Sequence, residues 1–159
     1  MRLSTKGRYA VMAVVDLAAT SQGNPIALAD IAERQEISLS YLEQLFAKLR
    51  KGGVVRSVRG PGGGYLLARP ADALLISEVI LAVDEPIQTT RCSIGSSSGC
   101  RVDRSRCLTH ELWEALGDQI HRYLSTVSIA DVIGRRVLNG DAGLAGDAAG
   151  LFEHVVAAE

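Results

Sequence analysis

From Thr5 to Ser21 apolar residues recur on every turn, with Val11, Met12, Val14, Val15 and Leu17 spread around the axis. That pattern predicts a helix, opened by Ser4 or Thr5 and covered on most sides. Pro25 introduces a short helix near Leu28–Arg34 that turns Ile31 and Ala32 inward. After Gln35–Ile37 a third helix is predicted from Ser38 to Lys51, with Gly52 and Gly53 as its stop signal. Its apolar stripe is Leu39, Leu42, Leu45, Phe46 and Leu49, and its other face carries Ser40, Glu43, Gln44, Ala47 and Lys48. Two short helices joined by a tight turn, the second with a polar face, form a helix-turn-helix pattern.

Two β-type runs follow, Val54–Val58 and Tyr65–Ala68, joined by Arg59-Gly60-Pro61-Gly62-Gly63-Gly64. A hairpin with a glycine-rich tip in that place reads as a wing. The glycine run fails both nucleotide fingerprints, because no Lys-Ser/Thr follows it and no helix opens after it. Pro70 ends the wing, and a helix near Ser77–Asp84 with Val79, Ile80 and Val83 inward closes this small domain. Residues 88–106 are polar, rich in Ser, Gly and Arg, with little to bury, so a ligand is needed to order them. A long helix is then predicted over Arg106–Thr126, where Leu108, Leu112, Leu116, Ile120 and Leu124 recur every fourth residue. Such a ridge drifts around the helix and favours crossed packing, for which a second copy of the chain is the simplest partner. From Asn139 onward, glycines among alanines predict a mobile tail.

Charge sharpens this division. The chain of 159 residues has a net charge of −1, yet residues 1–70 carry ten Lys or Arg against five Asp or Glu. The remainder carries seven against thirteen. A basic front half points to a polyanion partner for that half alone. Arg2, Lys6 and Arg8 before the apolar run Tyr9–Val15 could open a signal peptide, but Asp16 interrupts the run at seven residues. No stretch approaches the length of a membrane span. The expected location is the cytoplasm, with no membrane partner.

Within the helix-turn-helix, Ser40, Glu43 and Gln44 lie near the N-terminal end of the third helix, where a recognition helix meets base edges. Gln can pair with adenine and Glu can accept from the cytosine amino group. Two readings of Glu43 stand side by side: a capping box with Ser40, in which it reads nothing, or a helix capped by Ser38, which leaves it facing the groove. Arg59 at the wing tip suits a narrow minor groove or is simply a solvated turn residue. Arg2, Lys6, Arg8, Lys48, Arg50 and Arg56 are phosphate-contact candidates.

All three cysteines, Cys92, Cys100 and Cys107, fall in one sixteen-residue stretch, and His110 follows. In a cytosolic chain such thiols point to metal or redox chemistry rather than to a structural disulfide. Three thiolates and an imidazole can close a zinc site or hold an iron–sulfur cluster, and the spacing matches neither the usual zinc knuckles nor the ferredoxin runs. A neutral imidazole among thiolates raises the reduction potential of a cluster and is a labile ligand. No activated nucleophile, paired catalytic carboxylates or cofactor loop marks an enzyme.

Four motifs, in order, give a resemblance. Met1-Arg2-Leu3-Ser4-Thr5-Lys6-Gly7-Arg8-Tyr9-Ala10, Ile37-Ser38-Leu39-Ser40-Tyr41-Leu42-Glu43-Gln44-Leu45-Phe46, Val58-Arg59-Gly60-Pro61-Gly62-Gly63-Gly64-Tyr65-Leu66-Leu67 and Cys107-Leu108-Thr109-His110 before Leu112-Trp113 resemble the IscR-type regulators. The likeness spans residues 1–136. It implies a homodimeric transcription factor that holds a 2Fe–2S cluster through Cys92, Cys100, Cys107 and His110. The cluster-bound form would repress iron–sulfur assembly genes, and the cluster-free form would bind a second class of sites. It also implies that Ser40, Glu43 and Gln44 read bases and that Arg59 enters the minor groove, with Ser38, Tyr41, Gly60, Pro61 and Gly62 as further DNA-binding candidates. The intervals of seven and six residues between cysteines are longer than the family's. Related nitric-oxide sensors hold a 4Fe–4S cluster with an aspartate near the start of the first helix, where this chain has Arg8.

The expected fold is therefore mainly α with a small β wing: a winged helix-turn-helix domain plus a long dimerisation helix. The winged helix-turn-helix domain occupies residues 1–86 and a cluster-binding loop 87–106. The dimerisation helix and a short following helix occupy 107–136, and a flexible tail 137–159. The expected partners are duplex DNA with a two-fold operator, a second copy of the chain, and iron–sulfur assembly proteins as cluster donors. Two other classes stay open on the residues alone: a zinc- or thiol-redox regulator, and an iron–sulfur electron-transfer or carrier protein.

Overall fold

The core is aliphatic, and the computed structural model, which describes residues 5–85, 101 and 105–137, gathers it from both ends of that range. Helix α1 spans Thr5–Thr20 and buries Gly7, Ala10, Ala13, Val14 and Leu17. Its coverage is narrower than the expected one, since Met12 stays 37% exposed. Small residues at 7, 10 and 13 let neighbouring helices approach one face, which leaves the opposite face to solvent.

Helix α2 (Leu28–Gln35) ends at Glu36, whose φ of 53° is left-handed, and the chain re-enters the core at Ile37. The Ile37 N–H donates to the Ala32 carbonyl at 3.1 Å, which fixes this tight turn. Helix α3 (Leu39–Lys51) follows and buries Leu42, Leu45, Phe46 and Leu49. Leu39 departs from the expected stripe and is 41% exposed. It sits in the first turn, beyond the reach of the core, where Ile37 is the buried residue instead.

Strands β1 (Val55–Val58) and β2 (Gly64–Leu67) pair antiparallel, with Val55 opposite Leu67 and Val58 opposite Gly64. On the other side of β2, Ile26 and Tyr65 exchange both backbone hydrogen bonds, at 3.0 and 2.8 Å. Gly64 is required there, because a Cβ would overlap the Ile26 carbonyl. The wing is thereby tied to the entrance of α2, and Tyr65 meets Phe46 edge-on at 4.9 Å.

A 3-10 turn (Ala71–Ala73) leads into α4 (Ile76–Ala82). Helix α5 spans His110–Leu124, shorter at both ends than the expected Arg106–Thr126 and mainly at its start. Cys107 and Leu108 lie in the turn that precedes it, so Leu108, 97% exposed, is not part of the ridge. The His110 N–H bonds to the Cys107 carbonyl at 3.0 Å, a tight turn that delays the helix. After α5 the chain returns. The Ile76 N–H donates to the Val127 carbonyl and the Ile129 N–H to the Leu74 carbonyl, both at 2.9 Å, and Val127, with Ile129 at the start of α6 (Ile129–Ile133), joins the core. Among the described residues no helix is long and apolar enough to cross a membrane.

Candidate functional site

The candidate reading face lies on α3. Leu42, Leu45, Phe46 and Leu49 are buried, so Ser40 and, one turn on, Glu43 and Gln44 are held in solvent on the opposite side. Because the helix begins at Leu39, Ser38 takes the N-cap position and Ser40 is already inside. Ser40 is therefore not placed to cap the helix in a box with Glu43, whose side chain is exposed. The Ser38 carbonyl accepts the first helical bonds, from the Tyr41 and Leu42 N–H groups at 3.1 Å, and its hydroxyl makes no capping bond. Tyr41 is half-buried and meets the Tyr9 ring edge-on at 6.1 Å, so one side of it anchors α3 on α1.

At the wing tip, Arg59, Gly60, Pro61 and Gly62 are all exposed. Gly60 and Gly62 take φ of 107° and 71°, backbone that residues with a Cβ rarely adopt. Arg8 is exposed. Lys6 and Lys48 are engaged within the protein: Lys6 Nζ donates to the Asp84 carbonyl at 3.1 Å and Lys48 Nζ to the Asp84 carboxylate at 2.8 Å. The hydrogen bond it donates to Asp84 holds Lys48 above the usual lysine range, and Lys48 in turn holds the Asp84 carboxyl below the usual carboxylate range. Arg2 lies outside the described residues.

A brace the sequence pattern did not disclose steadies the turn before α3. Asp16 of α1, its side chain 8% exposed, accepts from Arg34 Nη2 at 2.6 Å and from Gln35 Nε2 at 2.9 Å. The Asp16 hydrogen bond raises the Arg34 guanidinium above its ordinary value. The one visible signal was the carboxylate interrupting an apolar run, which periodicity registers as a break rather than a contact.

Two of the four expected ligands are described. Cys107 is a half-buried free thiol, its Sγ 3.6 Å from Thr109 Oγ1, and Thr109 Oγ1 accepts from Trp113 Nε1 at 3.2 Å. One turn on, the His110 side chain is 8% exposed, with Nε2 3.7 Å from Glu114 Oε2. Cys92 and Cys100 lie outside the described residues. Among the described residues no three His, Cys, Asp or Glu side chains converge on one point. The α5 ridge residues differ along its length: Leu112 and Leu116 are 61% and 37% exposed, while Ile120 and Leu124 are half-buried.

The pattern of the family described as Rrf2, iron-dependent transcriptional regulator, matches residues 3–135. The HTH-type transcriptional regulator IscR of Photorhabdus laumondii is 56% identical over 133 residues, which cover 84% of this chain and 79% of that protein. Among solved structures, IscR of T. potens superposes with a TM-score of 0.67 at 37% identity, over 86% of this chain and 88% of that one. CymR, the global cysteine regulator of B. subtilis, gives 0.71 at 30% identity, over 85% and 98%.

Proposed function

Since the chain belongs to the Rrf2 family of iron-dependent transcriptional regulators, and is a DNA-binding regulator of the IscR type rather than an enzyme, we propose that it works in the cytoplasm as a homodimer that reports iron–sulfur status through a 2Fe–2S cluster. Cys92, Cys100, Cys107 and His110 would hold the cluster, supplied by iron–sulfur assembly proteins, and the genes controlled would be those of that assembly.

The observation that carries the reading is the placement of Cys107 and His110 within one turn at the start of α5, the imidazole almost entirely withdrawn from water. A thiolate beside a shielded imidazole is a donor pair of the softness iron takes, and burial slows exchange with solvent. When bound, the cluster supplies a labile inorganic centre whose presence or absence is the signal. Cys107 and His110 tie that centre to α5, and α5 is tied through Val127 and Ile129 to α4 and the core beneath the reading face. Leu112, Trp113 and Leu116 form an exposed apolar face on α5 that a second copy would cover. Two copies place two α3 helices on the half-sites of a two-fold operator, with Arg59 of each wing entering the minor groove.

On DNA, Ser40, Glu43 and Gln44 read base edges. Glu43 discriminates, tolerated opposite a cytosine amino group and repelled by acceptors. Protein purified without oxygen should contain about two iron and two sulfide per chain and absorb in the visible, and Cys107→Ser should abolish both. A colourless wild-type protein with bound zinc, or with thiols alone, would replace this reading by the metal-staple or thiol-redox one.

A further inference from the structure

The chain leaves α4 for Cys92 through Asp84, and that residue is bound on two sides. Its carboxylate accepts from Lys48 Nζ of α3 at 2.8 Å and its carbonyl accepts from Lys6 Nζ of α1 at 3.1 Å. Its φ of 54° is left-handed, a conformation aspartate tolerates better than most side chains. We propose that Asp84 is a positioning residue, linking the segment that leads to the ligands with the recognition helix so that movement of one is passed to the other.

This rests on the proposed cluster function and adds the route by which the signal reaches α3. Three observations support it. First, the ends of α3 and α4 touch almost backbone to backbone, since a Cβ at Gly52 would lie 2.7 Å from the Ala82 Cβ. A displacement of the α4 end therefore cannot be absorbed by side-chain rearrangement between the two helices. Second, Lys48 follows Gln44 and Ser40 at intervals of four residues, so a pull on Lys48 rotates the row that reads bases. Third, the Lys48 hydrogen bond above all, with the nearby charges of Lys6 and Lys51, holds the Asp84 carboxyl below its ordinary range, so the anion persists at neutral pH.

The contact is also easy to open. The Asp84 side chain is 76% exposed, beside a cleft of about 380 Å³ lined by Lys48, Lys51, Gly52, Leu81, Ala82 and Asp84. An exposed ion pair changes an equilibrium by about two- to five-fold, which sets the size of the expected effect.

The test is the ratio of operator affinities between cluster-loaded and cluster-free full-length protein. Asp84→Asn, which keeps the left-handed backbone accessible, should shrink that ratio about two- to five-fold with iron content unchanged. Lys48→Gln should do the same, and the double variant should go no further, because both changes cut one contact. A second readout uses cluster-free protein alone: amide hydrogen exchange in the last two turns of α3 should quicken by about the same factor in Asp84→Asn. Unchanged exchange and an unchanged ratio would overturn the proposal, as would additive losses in the double variant or equal weakening of both forms. If wild type shows no difference between loaded and empty protein, the cluster reading fails, and the exchange comparison still decides the link.

Discussion

Helices α3 and α5 are of similar length, thirteen and fifteen residues, and each carries a leucine row, yet they are finished to different degrees. Helix α3 buries Leu42, Leu45, Phe46 and Leu49, and its only large exposed apolar residue is Leu39 at its first position. In α5 only His110 is buried, while Leu112, Trp113 and Leu116 face outward. The polar face of α3 is thus shaped by one chain on its own. The face at the start of α5 is not, and an apolar face of this kind marks a surface completed by something else. Mutations in the two helices should accordingly fail in different ways.

The largest effect belongs to α3. Phe46 is wholly buried against Tyr65, so Phe46→Ala should cost about 3–5 kcal/mol of folding free energy, read by urea denaturation. Trp113→Ala on α5, where the ring is 43% exposed, should cost a small fraction of that in dilute monomer. Equal losses would erase the contrast between the helices.

The second effect should appear in assembly and not in folding. Replacing Leu112 and Leu116 together by Ala removes apolar area from the open face, and should weaken self-association by roughly 10- to 100-fold. Sedimentation across a concentration series would read it, with far-ultraviolet dichroism unchanged. A monomeric wild type would instead assign the face to another partner. On α3, Glu43→Ala should change discrimination at a single operator position by about 1–3 kcal/mol, scored on a set of single-base variants. Uniform weakening on every variant would show that Glu43 acts through overall charge and reads no base.

The same contrast explains what the chain discloses before folding. The α3 stripe, the wing glycines and the polar row of Ser40, Glu43 and Gln44 are legible because each depends on residues a few positions apart, and helical or strand periodicity records such neighbours. The exposure of Leu39 was not legible, since periodicity assigns a face without saying where along the helix the core stops. The late start of α5 was missed because the turn from Cys107 to His110 has no glycine or proline to announce it. Asp84 with Lys6 and Lys48, Asp16 with Arg34, and the return of Val127 and Ile129 all join residues far apart in sequence, and no local pattern encodes them. The proposed cluster ligands sit between these cases: the clustering of cysteines is plain in the sequence, and among the described residues the structure adds the adjacency of Cys107 and His110.

The smallest effect lies at the junction that attaches α5 to the reading domain. Leu75 and Ser128 pair across it, and each is clamped by a carboxylate three residues on. Glu78 accepts the Leu75 N–H at 3.0 Å and Asp131 accepts the Ser128 N–H at 3.0 Å, while the Ser128 hydroxyl accepts the Asp131 N–H at 3.1 Å. Ser128→Ala should cost about 1 kcal/mol as a lost cap. Both carboxyls sit below their ordinary values of 4.5 and 3.8, Glu78 chiefly through the Leu75 N–H and then Arg69, Asp131 chiefly through Ser128. A carboxyl depressed in the folded state stabilises fully above its unfolded value, and that contribution is lost as pH falls through the lowered folded value. Acid should therefore loosen the junction first: the Ile76 and Ile129 amides, bonded across it, should lose hydrogen-exchange protection at higher pH than the α3 amides from Leu45 to Leu49. Simultaneous loss at both places would mean that α5 and the reading face unfold as one cooperative unit, and that the difference between the two helices is one of exposure and not of stability.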